Sequence, residues 1–121
     1  MKVLLDECLP HDFRHSFPGY DTHTTAWAGL KGKANGELLR AAEDAGYEVL
    51  LTVDQGIPHQ QHPAGRKLAV LLIRSRTNQI EDLLPLVQTI TDALRAILPV
   101  RRQLFLWVDD NYFSLSTTTT L

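Results

Sequence analysis

The sequence predicts an α/β fold on a mainly parallel sheet, and three observations carry that expectation. Along residues 1–98, short and nearly all-apolar runs alternate with helix-patterned segments, the order that builds a parallel sheet with right-handed crossovers. Two alternating stretches, Leu104–Val108 and Tyr112–Ser116, flank Asp109-Asp110-Asn111, as a closing hairpin would. The chain has 121 residues, 44% of them hydrophobic and 21% charged, which is the size and composition of one globular domain. The expected division is an α/β core over 1–98, a C-terminal hairpin over 99–116 and a flexible end over 117–121.

Lys2–Leu5 is an apolar run suited to a first strand buried on both faces. Pro10 fits the first position of a helix, Asp12 lies in its first turn, and Leu9, Phe13 and Phe17 follow at helical spacing. Pro18-Gly19 ends it. Tyr20–Thr25 reads as a second strand and Trp27–Ala34 as a loop. Asn35 is a good N-cap for a helix over Glu37–Ala45, which Gly46 closes. Tyr47–Val53 is the most strongly patterned strand. Gln55–Lys67 is a polar turn region with two prolines, and Leu68–Ile73 is a further apolar strand. Gln79–Leu98 is patterned as one long amphipathic helix, with Pro85 near its first turn.

Composition excludes several classes. Cys8 is the single cysteine, so an internal disulfide and a Cys-rich zinc cluster are ruled out, and a reducing compartment fits. No signal-peptide pattern and no membrane-length apolar run is present, which predicts a cytoplasmic protein with no membrane partner. A net charge of −2 provides no global field to draw in nucleic acid, so such a ligand would need a local basic patch or a bound cation. There is neither GxGxxG nor a Walker A sequence, and the five histidines form no recognisable Ser-His-Asp arrangement.

Three acids stand out by position. Asp6 ends the first strand, Asp54 ends the third, and Glu37 opens the helix leading into the third. Ligands of open parallel sheets sit beyond the carboxyl ends of the strands, where strand order reverses. With strand order 2-1-3-4, Asp6 and Asp54 would stand on neighbouring strands ~4.8 Å apart, and Glu37 would begin on the same edge. Carboxylates ~5 Å apart repel by about 3 kcal/mol at an effective dielectric of about 20. A proton or a cation must relieve this, and an all-oxygen set favours Mg²⁺ or Mn²⁺.

Each acid alone also has an ordinary structural explanation. Asp54 can start a turn, Glu37 suits a helix first turn, and Asp6 can cap the first helix. Glu7 and Thr52 are supporting candidates, Glu7 as a further carboxylate and Thr52 as a hydroxyl that orients one. Lys31, Arg74 and Arg76 are candidates for phosphate contacts, the two arginines because they follow the fourth strand on the edge that carries the acids, and Gln61 belongs to a polar cluster suited to touch phosphate or bases.

These residues resemble a known family. Val3-Leu4-Leu5-Asp6-Glu7-Cys8-Leu9-Pro10 is similar to the opening of small PIN-like domains, relatives of the PilT N-terminus nucleases and of PIN-domain toxins of toxin–antitoxin pairs. Gly29-Leu30-Lys31 and Asn35-Gly36-Glu37-Leu38-Leu39 resemble the family's loop-then-helix segment, with Gly32-Lys33-Ala34 as an insertion. Leu51-Thr52-Val53-Asp54 resembles its Thr-x-Asp strand end, and Pro58-His59-Gln60-Gln61 a variant of one branch. The resemblance covers most of residues 1–98. It implies a three-layer α/β/α PIN-like fold and a Mg- or Mn-dependent ribonuclease, with Asp6, Glu37 and Asp54 as catalytic and metal-binding acids, RNA as substrate and an antitoxin protein as partner.

One departure matters. Active PIN toxins often carry another acid just after Thr-x-Asp, where this chain has Gly56 and Ile57. The alternative expectation is therefore a catalytically impaired module that binds RNA or a protein. Leu104, Leu106 and Val108 alternate with Phe105 and Trp107, so both faces of the hairpin are apolar. Its own chain or a second copy must cover it, which predicts a homo-oligomer, a dimer in the simplest case.

Overall fold

The computed structural model describes residues 1–33, 35–53, 68–97, 104–108 and 113–117, the last two ranges by their backbone. Four strands form an all-parallel sheet: β1 (Lys2–Leu5), β2 (Asp21–Thr24), β3 (Val49–Thr52) and β4 (Ala69–Ile73). Their order is β2-β1-β3-β4, so β1 lies between β2 and β3. The expected order is borne out for a physical reason. β1 and β3 carry apolar side chains on both faces and are buried nearly throughout, which requires central strands. Asp21-Thr22-His23-Thr24 is too polar for that and takes the edge.

Two hydrophobic clusters cover the two faces. On one face, Val3, Leu5, Val49, Leu51, Leu71 and Ile73 meet a 3-10 helix (His11–Ser16) and the C-terminal helical run. Phe13, fully buried, stands edge-on to Phe17 with 5.1 Å between ring centres. On the other face, Leu4, Leu50 and Val70 meet Leu38, Leu39 and Ala42 of a helix over Asn35–Asp44. Helices therefore lie against both faces, as a three-layer arrangement requires.

Two segments differ from expectation. Where the end of the second strand and the start of a loop are expected, Thr25–Ala28 forms a short helix, α1. The Trp27 amide donates to the Thr24 hydroxyl at 3.1 Å, and Gly29 closes the turn at φ +75°, a conformation costly for other residues. Local capping makes this turn, without any hydrophobic period to announce it. The second segment is the long helix, which divides into α3 (Ile80–Leu83), a 3-10 turn (Leu84–Leu86) and α4 (Val87–Ile97). Pro85 has no N–H to donate to the Glu81 carbonyl, so the chain tightens, and the Val87 amide reaches back to Leu84. The apolar stripe Leu83, Leu86, Ile90, Ala93 and Leu94 nevertheless stays on the sheet.

The helix over Asn35–Asp44, α2, ends as expected at Gly46 (φ +89°). Tyr47 N–H donates to the Ala42 carbonyl and Gly46 N–H to Glu43, both at 3.0 Å, which is a Schellman closure. It turns the chain into β3 and fixes Tyr47 under the sheet edge. No described helix is long and apolar enough to cross a membrane.

Candidate functional site

Asp6 is the first residue past β1. Parallel pairing sets Leu5 beside Leu51, and the Asp6 amide continues the ladder by donating to the Leu51 carbonyl at 3.0 Å. Asp6 therefore lies level with Thr52. The Thr52 hydroxyl, fully buried, donates to Asp6 Oδ2 at 2.7 Å, and the Glu7 amide donates to Oδ1 at 2.8 Å. Cys8 Sγ lies 3.7 Å from the same hydroxyl. Because the hydroxyl proton goes to Asp6, the thiol is the donor in that weak contact. The Asp6 carbonyl meanwhile accepts from Leu9 N–H at 3.0 Å, which turns the chain into Pro10 and the 3-10 helix.

The outcome is one carboxylate in a fixed orientation. A carboxylate offers about four lone-pair positions, and the described residues use two of them. Glu7 does not continue the strand. Its side chain bends over the edge and accepts from the Gly32 amide, which ties it to the loop that follows α1. Asp6, Glu7 and Lys31 line a cleft of about 220 Å³ with His11, Thr24 and Thr25. This cleft opens on the β2 side of Asp6. Asp54, expected on the β3 side, lies outside the described residues, as does Gln61.

Asp6, Glu7, Thr52 and Lys31 are thus brought together. Glu37 is in the first turn of α2, as expected, and its Oε1 pairs with Lys33 Nζ at 3.1 Å in an exposed i,i+4 contact. Arg74 and Arg76 follow β4, two strands from Asp6, which is roughly 10 Å across a sheet. Arg76 forms an exposed pair with Asp82 at 3.8 Å. Among the described residues, no group of three or more His, Cys, Asp or Glu side chains is arranged to hold a metal ion.

A second cleft, of about 470 Å³, adjoins the first and shares His11, Thr24 and Ala26 with it. Arg14, Thr22, His23 and Trp27 complete its lining. His23 and Trp27 stack with 3.9 Å between ring centres and 30° between planes. His23 Nδ1 and the Tyr47 hydroxyl share a hydrogen bond of 2.7 Å, and Asp21 lies 3.6 Å from Nε2. Burial, with the Asp21 charge adding to it, raises the Tyr47 phenol above its usual value.

The sequence reading gave these aromatic residues no role. Their faint signal is the four-residue spacing of His23 and Trp27 across a strand-to-helix junction. The contact with Tyr47, 24 positions from His23 on the far side of α2, has no local signal.

No family model, curated protein or solved structure matches the chain. The PIN-like resemblance therefore rests on the residues that carry it.

Proposed function

We propose that the chain is a PIN-like, metal-dependent endoribonuclease, with Asp6 as the central acid of its site. The observation that carries the reading is the fixed Asp6 carboxylate at the carboxyl end of β1, its position set by Thr52 and the Glu7 amide. Support for the finer architecture comes from the backbone of two further strands. β5 (Leu104–Val108) runs parallel beside β4, and β6 (Phe113–Thr117) runs antiparallel beside β5, in the manner of a closing hairpin.

The donor set suits a hard cation. Asp6 and Glu7 are carboxylates on one cleft, each with lone pairs beyond the hydrogen bonds it accepts. In this reading Asp6 and Asp54 hold Mg²⁺ or Mn²⁺, with Glu37 joining once it leaves Lys33. Such an ion, when bound, polarises a phosphodiester and lowers the pKa of an attacking water. The protein's own part is to hold Asp6 still, to supply a carboxylate as proton acceptor, and to seat the phosphate with Lys31, Arg74 and Arg76. In cells the role is that of a toxin held by an antitoxin protein. The apolar alternation of Leu104–Val108 supports self-association into a dimer.

Cleavage of single-stranded RNA in Mn²⁺ tests this. Asp6→Asn keeps the shape and one acceptor oxygen but removes the charge. Loss of a metal ligand should cost on the order of 100-fold in rate or more, and chelation with EDTA should abolish cleavage. Undiminished cleavage by the Asn variant would remove Asp6 from the mechanism.

A second reading is favoured by specific contacts. Asp6 already accepts two hydrogen bonds and Glu37 is paired with Lys33, which is how a site without an ion keeps its acids comfortable. With Gly56 and Ile57 in place of a further acid, the chain would then bind RNA or a protein without cutting. Salt-dependent RNA binding with no cleavage in Mn²⁺ would select it.

A further inference from the structure

We infer that the cleft beside Asp6, lined by Trp27, His23, Thr22, His11 and Arg14, seats an unpaired RNA base and its phosphate and delivers the strand to Asp6. The choice of polymer rests on the ribonuclease reading; the groove itself rests on its own geometry.

Trp27 is 71% exposed, so packing gives no account of it. It is nonetheless held. Its backbone is capped by Thr24, and one ring face lies on His23, which Tyr47 and Asp21 fix in turn. An indole immobilised on one face and open on the other is a stacking platform whose ordering cost is already met in the free protein.

The polar lining suits the rest of a nucleotide. Arg14 donates to the His11 carbonyl at 2.7 Å and lies 4.0 Å from Asp12, which steadies a guanidinium that keeps further N–H donors for phosphate. The Thr22 hydroxyl is buried in the same wall with no hydrogen-bond partner among the described residues. Asp12 and Asp21 offset much of the local positive charge. Stacking rather than Coulomb attraction must therefore provide most of the affinity. That favours unpaired bases over duplex, because a paired base hides its face in the helix stack. The wall shared with the first cleft gives the bound strand a path to Asp6.

The test uses fluorescence anisotropy with a labelled single-stranded RNA of about ten nucleotides, long enough for one groove. It is run in EDTA on the full chain carrying Asp6→Asn, so that cleavage cannot interfere. Trp27→Ala added to that background should weaken binding by about 5- to 150-fold, the range for losing one stacked base. Trp27→Phe should restore most of it. Arg14→Gln should lower the salt slope by about one phosphate contact, and duplex RNA of the same sequence should bind more weakly. Far-ultraviolet circular dichroism should show no loss of backbone structure in either Trp27 variant.

Equal affinity of the Trp27→Ala protein would overturn the groove assignment. So would a parent protein that binds no single-stranded RNA, which would leave a protein as the groove's occupant. Failure of the nuclease reading is separable. If Asp6→Asn still cleaves but Trp27→Ala loses binding, the groove stands and the acid site falls.

Discussion

Two neighbouring clefts share a wall at His11, Thr24 and Ala26, yet they hold their functional groups by opposite means. At Asp6 the fixing groups are one backbone amide, that of Glu7, and the fully buried hydroxyl of Thr52. One strand over, at Trp27, the fixing groups are other rings, and the indole stands in solvent. A carboxylate meant to hold an ion needs orientation to a few tenths of an ångström, which hydrogen bonds to a rigid strand end can give. A stacking surface tolerates small shifts of its partner and needs area more than aim. The contrast predicts which substitutions damage both clefts, which damage one, and which damage neither.

The largest effect should come from the shared support. Phe13→Ala empties a fully buried position beneath the 3-10 helix that carries His11 and Arg14. It should cost about 3–5 kcal/mol by urea unfolding and impair both clefts together. If RNA binding at Trp27 survived intact in the folded variant, the common wall would have no importance.

Thr52→Val separates the clefts. It keeps the volume, removes the donor to Asp6 and should cost about 1–2 kcal/mol, while Thr52→Ser restores the bond. Binding in the Trp27 groove should not change.

Tyr47 acts on the other cleft. Its folded pKa lies above the ordinary value of 10.0, so the folded state holds the phenol proton more tightly than the unfolded chain does. The resulting stability is complete below the unfolded value and is lost as pH rises through the folded one. A wild-type unfolding curve should thus weaken above about pH 10. Tyr47→Phe should remove that part of the alkaline loss, cost about 0.5–1.5 kcal/mol at neutral pH and loosen His23 beneath Trp27.

The smallest effect belongs to Lys33→Ala. Its exposed pair with Glu37 should contribute no more than about 0.5 kcal/mol. If Glu37 joins a metal site, releasing it from Lys33 should improve Mn²⁺ binding slightly rather than weaken it.

How far the sequence could be read follows from the same contrast. The apolar runs of β1 and β3 dictate central parallel strands, and from their pairing follows the adjacency of Asp6 and Thr52. The stop at Gly46 was legible because only a left-handed residue closes α2 in that way. By contrast, the helix at Thr25–Ala28 depends on one side-chain cap, and the division of the last helix on one missing N–H at Pro85. Neither leaves a period in the hydrophobic pattern. The shared edge predicts that Glu37 begins near Asp6, but Lys33, four residues earlier in the loop before α2, is the partner it meets. The aromatic cluster was hidden because His23, Trp27 and Tyr47 converge only after β1 is inserted between their strands.

The central claim is that the carboxylate of Asp6 holds a divalent ion. Calorimetric titration with Mn²⁺, in the presence of a non-cleavable RNA analogue that can complete the coordination, measures it directly. The account predicts saturable binding by the wild type and at least roughly tenfold weaker binding by Asp6→Asn, the low end of what loss of ligand support costs. Identical titration curves for the two proteins, or no heat from either, would contradict it.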